Sequence, residues 1–252
     1  MTTRAIVSLG VGFQGYYGYC IPSIQQYAQR ISCDFIFIRQ PVFSKGANFC
    51  LDKFQIGSLL DRYEQICYID SDVLVHPQSP NIFKLVNNRK EILARPETFG
   101  WSVASYGWHK HDFPFLQSRF GCIHKPRKDW FYFNAGVFVV SNQHKSIFTT
   151  PFLRPFITFH QTHQCIDWGD QTFLNYLFNY YEIPLRSLTD EWNFCPYCIP
   201  SHTKKFQAGL KNKTIYFFHY AGLNASQKLS EIKRLNPHLT SDFSFVHDKY
   251  FL

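Results

Sequence analysis

Ile66-Cys67-Tyr68-Ile69, followed at once by Asp70-Ser71-Asp72, is the stretch on which the fold turns. Four apolar residues read as a buried strand, and the strand stops in acid. Residues i and i+2 of a strand point to the same side, so Asp70 and Asp72 are expected together. Two carboxylates held side by side repel unless a cation neutralises them. A divalent ion with oxygen ligands would do so, and a metal-bound diphosphate would complete its shell. Asp-x-Asp alone is common in turns. Its position directly after a buried strand gives it weight, because open α/β sheets place their ligand crevice beyond the carboxyl ends of strands.

The segments around it supply the sheet. Ala5–Leu9 reads as a buried first strand, Pro22–Arg30 as a helix opening on proline, and Phe35–Ile38 as a second strand. Lys53–Tyr63 reads as a helix, with Phe54, Ile56, Leu59 and Leu60 apolar. This βαβαβ rhythm predicts a mostly parallel sheet covered on both faces. Phe133–Val140 continues as a strand and Gln171–Tyr180 as a helix. The region 99–130 is rich in aromatic, His and Gly residues and has poor periodicity, as functional loops do.

Composition sets the bounds. With 252 residues, 45% hydrophobic and 17% charged, the chain is long enough for a sizeable core and is not globally disordered. Aromatic residues make up 19%, as 27 Phe, 15 Tyr and 5 Trp. Lys and Arg number 26 against 18 Asp and Glu, a net charge of +8. That excess suits an anionic partner such as a nucleotide, a nucleic acid or a membrane surface, or else a solvated basic face. Residues 201–252 hold eight Lys and Arg against three Asp and Glu. No apolar run approaches the roughly 18 residues of a membrane span. Ala5–Leu9 is also too short for a signal-peptide core. The expectation is therefore a cytoplasmic protein whose eight cysteines are thiols and whose sequons at Asn212 and Asn224 carry no glycan.

Three further segments bear on chemistry. Phe133-Asn134-Ala135-Gly136-Val137-Phe138 opens an apolar run with an amide and two small residues. Asp167-Trp168-Gly169-Asp170-Gln171 opens a helix, where either acid could serve as an N-cap. Phe217-Phe218-His219-Tyr220-Ala221-Gly222 places a His after a strand, with a glycine that permits close backbone approach.

In this order and at these spacings, with Lys53 one helix before the acidic pair, the segments resemble glycosyltransferase family 8, the glycogenin-like and lipopolysaccharide galactosyltransferase-like enzymes. The resemblance runs from the first strand to about Lys228. It implies a single α/β domain of the GT-A type over 1–252, with a Rossmann-like, mostly parallel central sheet and flanking helices. Residues 1–98 would form the nucleotide-binding half, 99–228 the acceptor and donor-sugar half, and 229–252 a basic tail. It also implies a UDP-sugar donor, a saccharide or glycolipid acceptor, and Mn²⁺, with Mg²⁺ as the alternative. Asp70, Asp72 and His219 would hold the metal; one imidazole among oxygens suits Mn²⁺ better than Mg²⁺. Ser8 and Leu9 would contact the base, while Lys53, Ser71, Asn134, Ala135, Asp167 and Gly222 would line the donor. Asp170 and Gln171 are the catalytic candidates for a retaining transfer, which could be covalent or front-face. Lys228 would clamp the diphosphate. Here the sequence departs from the family's spacing, because Lys228 follows Gly222 by six residues instead of three.

Other signals carry less. Cys195-Pro-Tyr-Cys198 with His202 lacks a fourth zinc ligand. His109, His111, His160 and His163 read as packing or acceptor-facing groups, and Cys67 as a small apolar residue of a strand. A sugar nucleotidyltransferase would need a Gly-rich phosphate loop after the first strand, and Phe13, Tyr16 and Tyr17 interrupt the glycines there. A non-catalytic glycan- or nucleic-acid-binding module would explain the rings and the charge. It leaves the acids and His219 without a role, so no nucleic acid is expected. Phe99, Trp101, Tyr106, Trp108, Phe113, Phe115, Trp130 and Phe131 would offer a stacking platform to an acceptor sugar. The basic C-terminal region could meet a diphosphate or an anionic membrane face.

Overall fold

A computed structural model of the protein describes residues 3–44, 49–99, 112–121, 131–163, 169–207 and 215–244. The first strand, β1 (Arg4–Leu9), pairs in parallel with β2 (Asp34–Ile38) on one side and β3 (Gln65–Ile69) on the other. Helix α1 (Tyr17–Arg30) makes the first crossover; a 3-10 turn (Phe49–Gln55) and the short α2 (Ile56–Leu59) make the second. After β3 the chain leaves the sheet, forms the short β4 (Val73–Val75), and returns as β5 (Ile92–Phe99). Helix α3 (Asp112–Phe120) leads to β6 (Phe131–Ser141), which inserts antiparallel between β3 and β5. Next come α4 (Lys145–Phe148), α5 (Leu153–His163), α6 (Gly169–Tyr180) and β7 (Leu185–Ser187), the last parallel to β5. Helix α7 (Pro200–Gln207), β8 (Phe217–His219) and α8 (Ala225–Leu235) complete the described elements. The large sheet runs β2-β1-β3-β6-β5-β7, and β4 pairs with β8 in a separate two-stranded ribbon. Five of its six strands point the same way, as the βαβαβ reading expects.

Burial on both faces explains the continuous apolar runs. Along β1, Ala5, Val7 and Leu9 enter one core and Ile6 the other; along β3, Ile66 and Tyr68 oppose Cys67 and Ile69. The first core is built of rings, with Phe156 stacked on Phe173 at 4.1 Å and Phe54 against Phe173 at 5.3 Å. Each such side chain stabilises the fold by about 1.5–3 kcal/mol when fully buried. Much of the high aromatic content is therefore core. Phe115 belongs to it as well, stacked on Phe159 at 4.0 Å. The side chains of Phe99, Phe113 and Phe131, and all of Trp101, Tyr106, Trp108 and Trp130, lie outside the described residues, as do His109 and His111.

Two helices differ from the sequence reading. The expected helix at Pro22 begins five residues earlier, at Tyr17, and Pro22 lies inside it. Proline cannot donate to the carbonyl four residues back, which leaves the Gly18 oxygen open. The Asp242 N–H takes that acceptor at 2.7 Å, and the Phe243 ring covers Gly18. The first turn is thus completed from elsewhere in the chain. The expected helix over 53–63 is instead the 3-10 turn plus four residues of α2. There the fully buried Asp52 carboxylate accepts from the N–H groups of Val42 and Phe43, which ties the segment to the loop after β2. At the other end of the chain, residues 225–235 are helical, with Asn224 and Gln227 forming a capping box at the start of α8. No helix among the described residues is long and apolar enough to cross a membrane.

Candidate active site

Asp70 follows β3 directly, and Ser71-Asp72 form the turn that carries the chain from the large sheet into β4. The turn closes through the Val73 N–H on the Asp70 carbonyl, at 3.0 Å. Turn closure, and not strand alternation, therefore brings the two carboxylates together. In the ribbon, Val73 pairs with His219, and the Tyr220 N–H donates to the Asp72 carbonyl at 3.1 Å. This register sets the imidazole beside the acids. His219 Nε2 lies 3.2 Å from Asp72 Oδ1 and 3.7 Å from Asp70 Oδ2. One donor atom from each of Asp70, Asp72 and His219 lies within 4.8 Å of the others.

Two lysines flank these acids. Lys53, with a side chain 3% exposed, donates to Asp170 Oδ2 at 2.6 Å and the Ala135 carbonyl at 3.1 Å, and lies 3.2 Å from Asp70 Oδ1. Those three acceptors match the three protons of an ammonium. Asp70 Oδ1 also accepts from the Tyr68 hydroxyl at 2.7 Å. Burial would lower the Lys53 ammonium, but Asp170 and Asp70 raise it above the usual lysine range. Lys228, in the first turn of α8, reaches Asp72 Oδ2 at 2.7 Å and lies over the Tyr16 ring. Its sixth-residue spacing from Gly222 is taken up by the capped start of α8. Burial would raise Asp72, but His219 and Lys228 hold it well below the ordinary carboxylate range.

A hydrogen-bonded amide network lies behind the acids. Asn134 Oδ1 accepts from the Gly136 N–H and from Asn193 Nδ2, both at 2.9 Å. Asn134 Nδ2 donates to Glu97 Oε1 at 2.9 Å and to Gln171 Oε1 at 3.2 Å. Gln171 Oε1 also accepts from the Ala135 N–H, while its amide nitrogen faces Glu97 and Tyr132. Asn193 Oδ1 meets His219 Nδ1 at 2.9 Å. Burial raises the Glu97 carboxyl above its usual range despite these amide donors.

Glu97 and Asn193 had no motif to announce them. Glu97 is brought in by β5, whose register against β6 shifts on both sides of Pro96. Among the residues expected at the site, Asp70, Asp72, Lys53, Asn134, Ala135, Asp170, Gln171, His219 and Lys228 form one connected group, and Ser71 lies between the two acids in the turn. Gly222 has φ +86, and an added Cβ would meet the Tyr197 carbonyl at 3.1 Å. Ser8 and Leu9 are buried, and the Ser8 hydroxyl has no partner among the described residues. Asp167 lies outside them.

Cys195 and Cys198 are joined in a disulfide, which corrects the expectation of eight thiols and removes the zinc alternative. His202 Nδ1 accepts from the Cys195 N–H at 2.8 Å, and its Nε2 lies 3.0 Å from Asp190. Burial, with Arg95 beside it, pushes His202 down to about 4. Protonating Nδ1 would also break the Cys195 bond. The unfolded chain takes up this proton near pH 6.5 and the fold resists it to about 4, so stability is expected to fall with acid across that window. Melting curves from pH 7 to 4 should show a shallower slope for His202→Gln than for the natural chain.

The donor set fits a divalent cation. In the ion-paired group, three carboxylates (Asp70, Asp72, Asp170) stand against two ammonium groups. Carboxylate oxygens with a single imidazole suit Mn²⁺. The family model described as glycosyl transferase family 8 matches residues 19–225. The chain belongs to glycosyl transferase family 8. No curated protein matches it by sequence. Among solved structures, this family 8 chain is similar to a glycosyltransferase involved in glycosylation of the major capsid of PBCV-1, at 13% identity and TM-score 0.59, over 92% of this chain and 99% of that one. It is also similar to the galactosyltransferase LgtC in complex with donor and acceptor sugar analogues, at 13% identity and TM-score 0.53, over 95% and 98%. A third is the apo-form glycosyltransferase GlyE of Streptococcus pneumoniae, at 18% and 0.53, over 97% of this chain and 66% of that one. At such identities the likeness is one of fold, here the GT-A fold. The family 8 assignment makes the protein a glycosyltransferase.

Proposed function

We infer that the protein moves a hexose from a UDP-sugar to a hydroxyl of a saccharide or glycolipid acceptor, with retention of anomeric configuration and with Mn²⁺ as the cation. The observation that carries this reading is the convergence of Asp70, Asp72 and His219 at the carboxyl end of β3. Those three residues would hold the metal, which stabilises the negative charge growing on a departing diphosphate without a proton. Lys228, 16% exposed, is the cation best placed to pass from Asp72 to that diphosphate. Lys53 holds Asp70 and Asp170 in place, and Gln171, held at both ends of its amide, keeps the donor-sugar side rigid. Asp170 would have to leave Lys53 to attack an anomeric carbon. That cost favours front-face transfer, in which the leaving phosphate takes the acceptor's proton.

The test is direct. The protein is incubated with a panel of UDP-sugars and Mn²⁺, and UDP release is measured, with chelator and Asp72→Ala as controls. Slow donor hydrolysis that both controls remove supports the reading. Failure to bind any nucleotide sugar, with or without Mn²⁺, overturns it.

A further inference from the structure

A histidine can offer a cation only the ring nitrogen that carries no proton, and the group bonded to the other nitrogen decides which one that is. For His219 the decision can be traced back to the backbone. The Gly136 N–H is a donor that cannot reverse, so the Asn134 atom it meets at 2.9 Å must be the oxygen. The other Asn134 terminus is then the amide nitrogen, in agreement with its bonds to Glu97 and Gln171. The Asn193 atom 2.9 Å from Asn134 Oδ1 must in turn be the amide nitrogen. That turns the Asn193 oxygen towards His219 Nδ1, again at 2.9 Å, and an oxygen there requires a proton on Nδ1; a bound cation would take the place of any proton that Nε2 shares with Asp72 Oδ1, 3.2 Å away. The Ala135 N–H fixes Gln171 Oε1 by the same logic and closes the network from the other side. Asn193 is fully buried and His219 is 2% exposed, which leaves little room for water to stand in for the amide.

The geometry points to Asn193 as a positioning residue that holds His219 in the Nδ1–H form and so presents the Nε2 lone pair to the cation between Asp70 and Asp72. This rests on the metal-dependent reading above for its purpose, though not for its geometry. Asn193 touches neither acid in the described contacts. It acts through the imidazole, and the order of the relay is Gly136, Asn134, Asn193, His219.

Two measurements test it separately from that reading. In metal-free protein carrying ¹⁵N-histidine, with His219→Gln to assign the signal, Nδ1 of His219 should show the chemical shift of a protonated nitrogen. A bare Nδ1 overturns the inference, whatever the protein binds. In Mn²⁺ titrations, Asn193→Leu, which offers no acceptor, should bind about 10–100-fold more weakly than the natural chain. Asn193→Asp, which keeps an oxygen opposite Nδ1 but sets its second oxygen against Asn134 Oδ1, should recover part of that loss. Unchanged affinity in Asn193→Leu also overturns the inference. Natural protein that binds no Mn²⁺ would instead remove the metal reading, and the Nδ1 signal would still decide the role of Asn193.

Discussion

Replacing Lys53 with methionine should cost the fold about 3–5 kcal/mol, chiefly because the buried Asp170 carboxylate would stay behind without its cation. The side chains of Lys53 and Asp170 are each 3% exposed, so water cannot replace the lost partner. In a chain of this size that loss corresponds to a fall in melting temperature of roughly 10 °C. The sign with pH is specific. Without Lys53 the charge left behind in the fold is one that acid neutralises. The deficit should then shrink as pH falls through the ordinary carboxylate range and be widest near neutrality. Asp170→Asn added to Lys53→Met should restore part of the loss, since one uncompensated charge is removed. Thermal unfolding of the four proteins at pH 7 and pH 4.5 measures the coupling directly. Equal deficits at both pH values would show that Lys53 contributes packing and not charge.

On the metal reading proposed above, Gly136→Ala should weaken Mn²⁺ binding about a hundredfold, with a matching loss of transfer, while leaving the sheet intact. A Cβ at this position would lie 2.2 Å from His219 Cε1 and 2.8 Å from Asn134 Oδ1. Carbon atoms pack no closer than about 3.5 Å, so the imidazole or the strand must move. The ring is the part less firmly held, because β6 is paired on both sides with β3 and β5. Gly136 is not among the glycines with positive φ, so an alanine meets no backbone strain there. Titration with Mn²⁺ and a melting curve separate the two outcomes. His219→Ala should bind no more tightly than Gly136→Ala, and the double substitution should be no worse than the weaker single one.

The parts of this protein legible in the sequence were those in which one local run carries its own meaning. β1, β2, β3, β6 and α6 are apolar segments buried within one sheet and its cover, and periodicity announces them. The acidic pair was found because a strand ends in it, and His219 because a second strand does. Lys228 was doubtful by spacing. It arrives because the additional residues before it form a capped helix start, a three-dimensional fact that counting from Gly222 does not contain. Pro22 misplaced the start of α1, because the acceptor it frees is used by a residue more than two hundred positions later. Glu97 and Asn193 were invisible for a related reason. Their roles come from strand register and from partners on other elements, and neither sits in a recognisable spacing.

The pairing of Val73 with His219 also bears on how the molecule is made. A ribosome delivers β3 and the acidic turn early, and the strand that brings His219 to it only after most of the described chain has emerged. Contacts so distant in sequence form late, since the loop between them must first be ordered. A nascent chain therefore carries Asp72 without its partners His219 and Lys228 through much of its synthesis. On the metal reading proposed above, cation retention should appear abruptly, as one of the final events of folding.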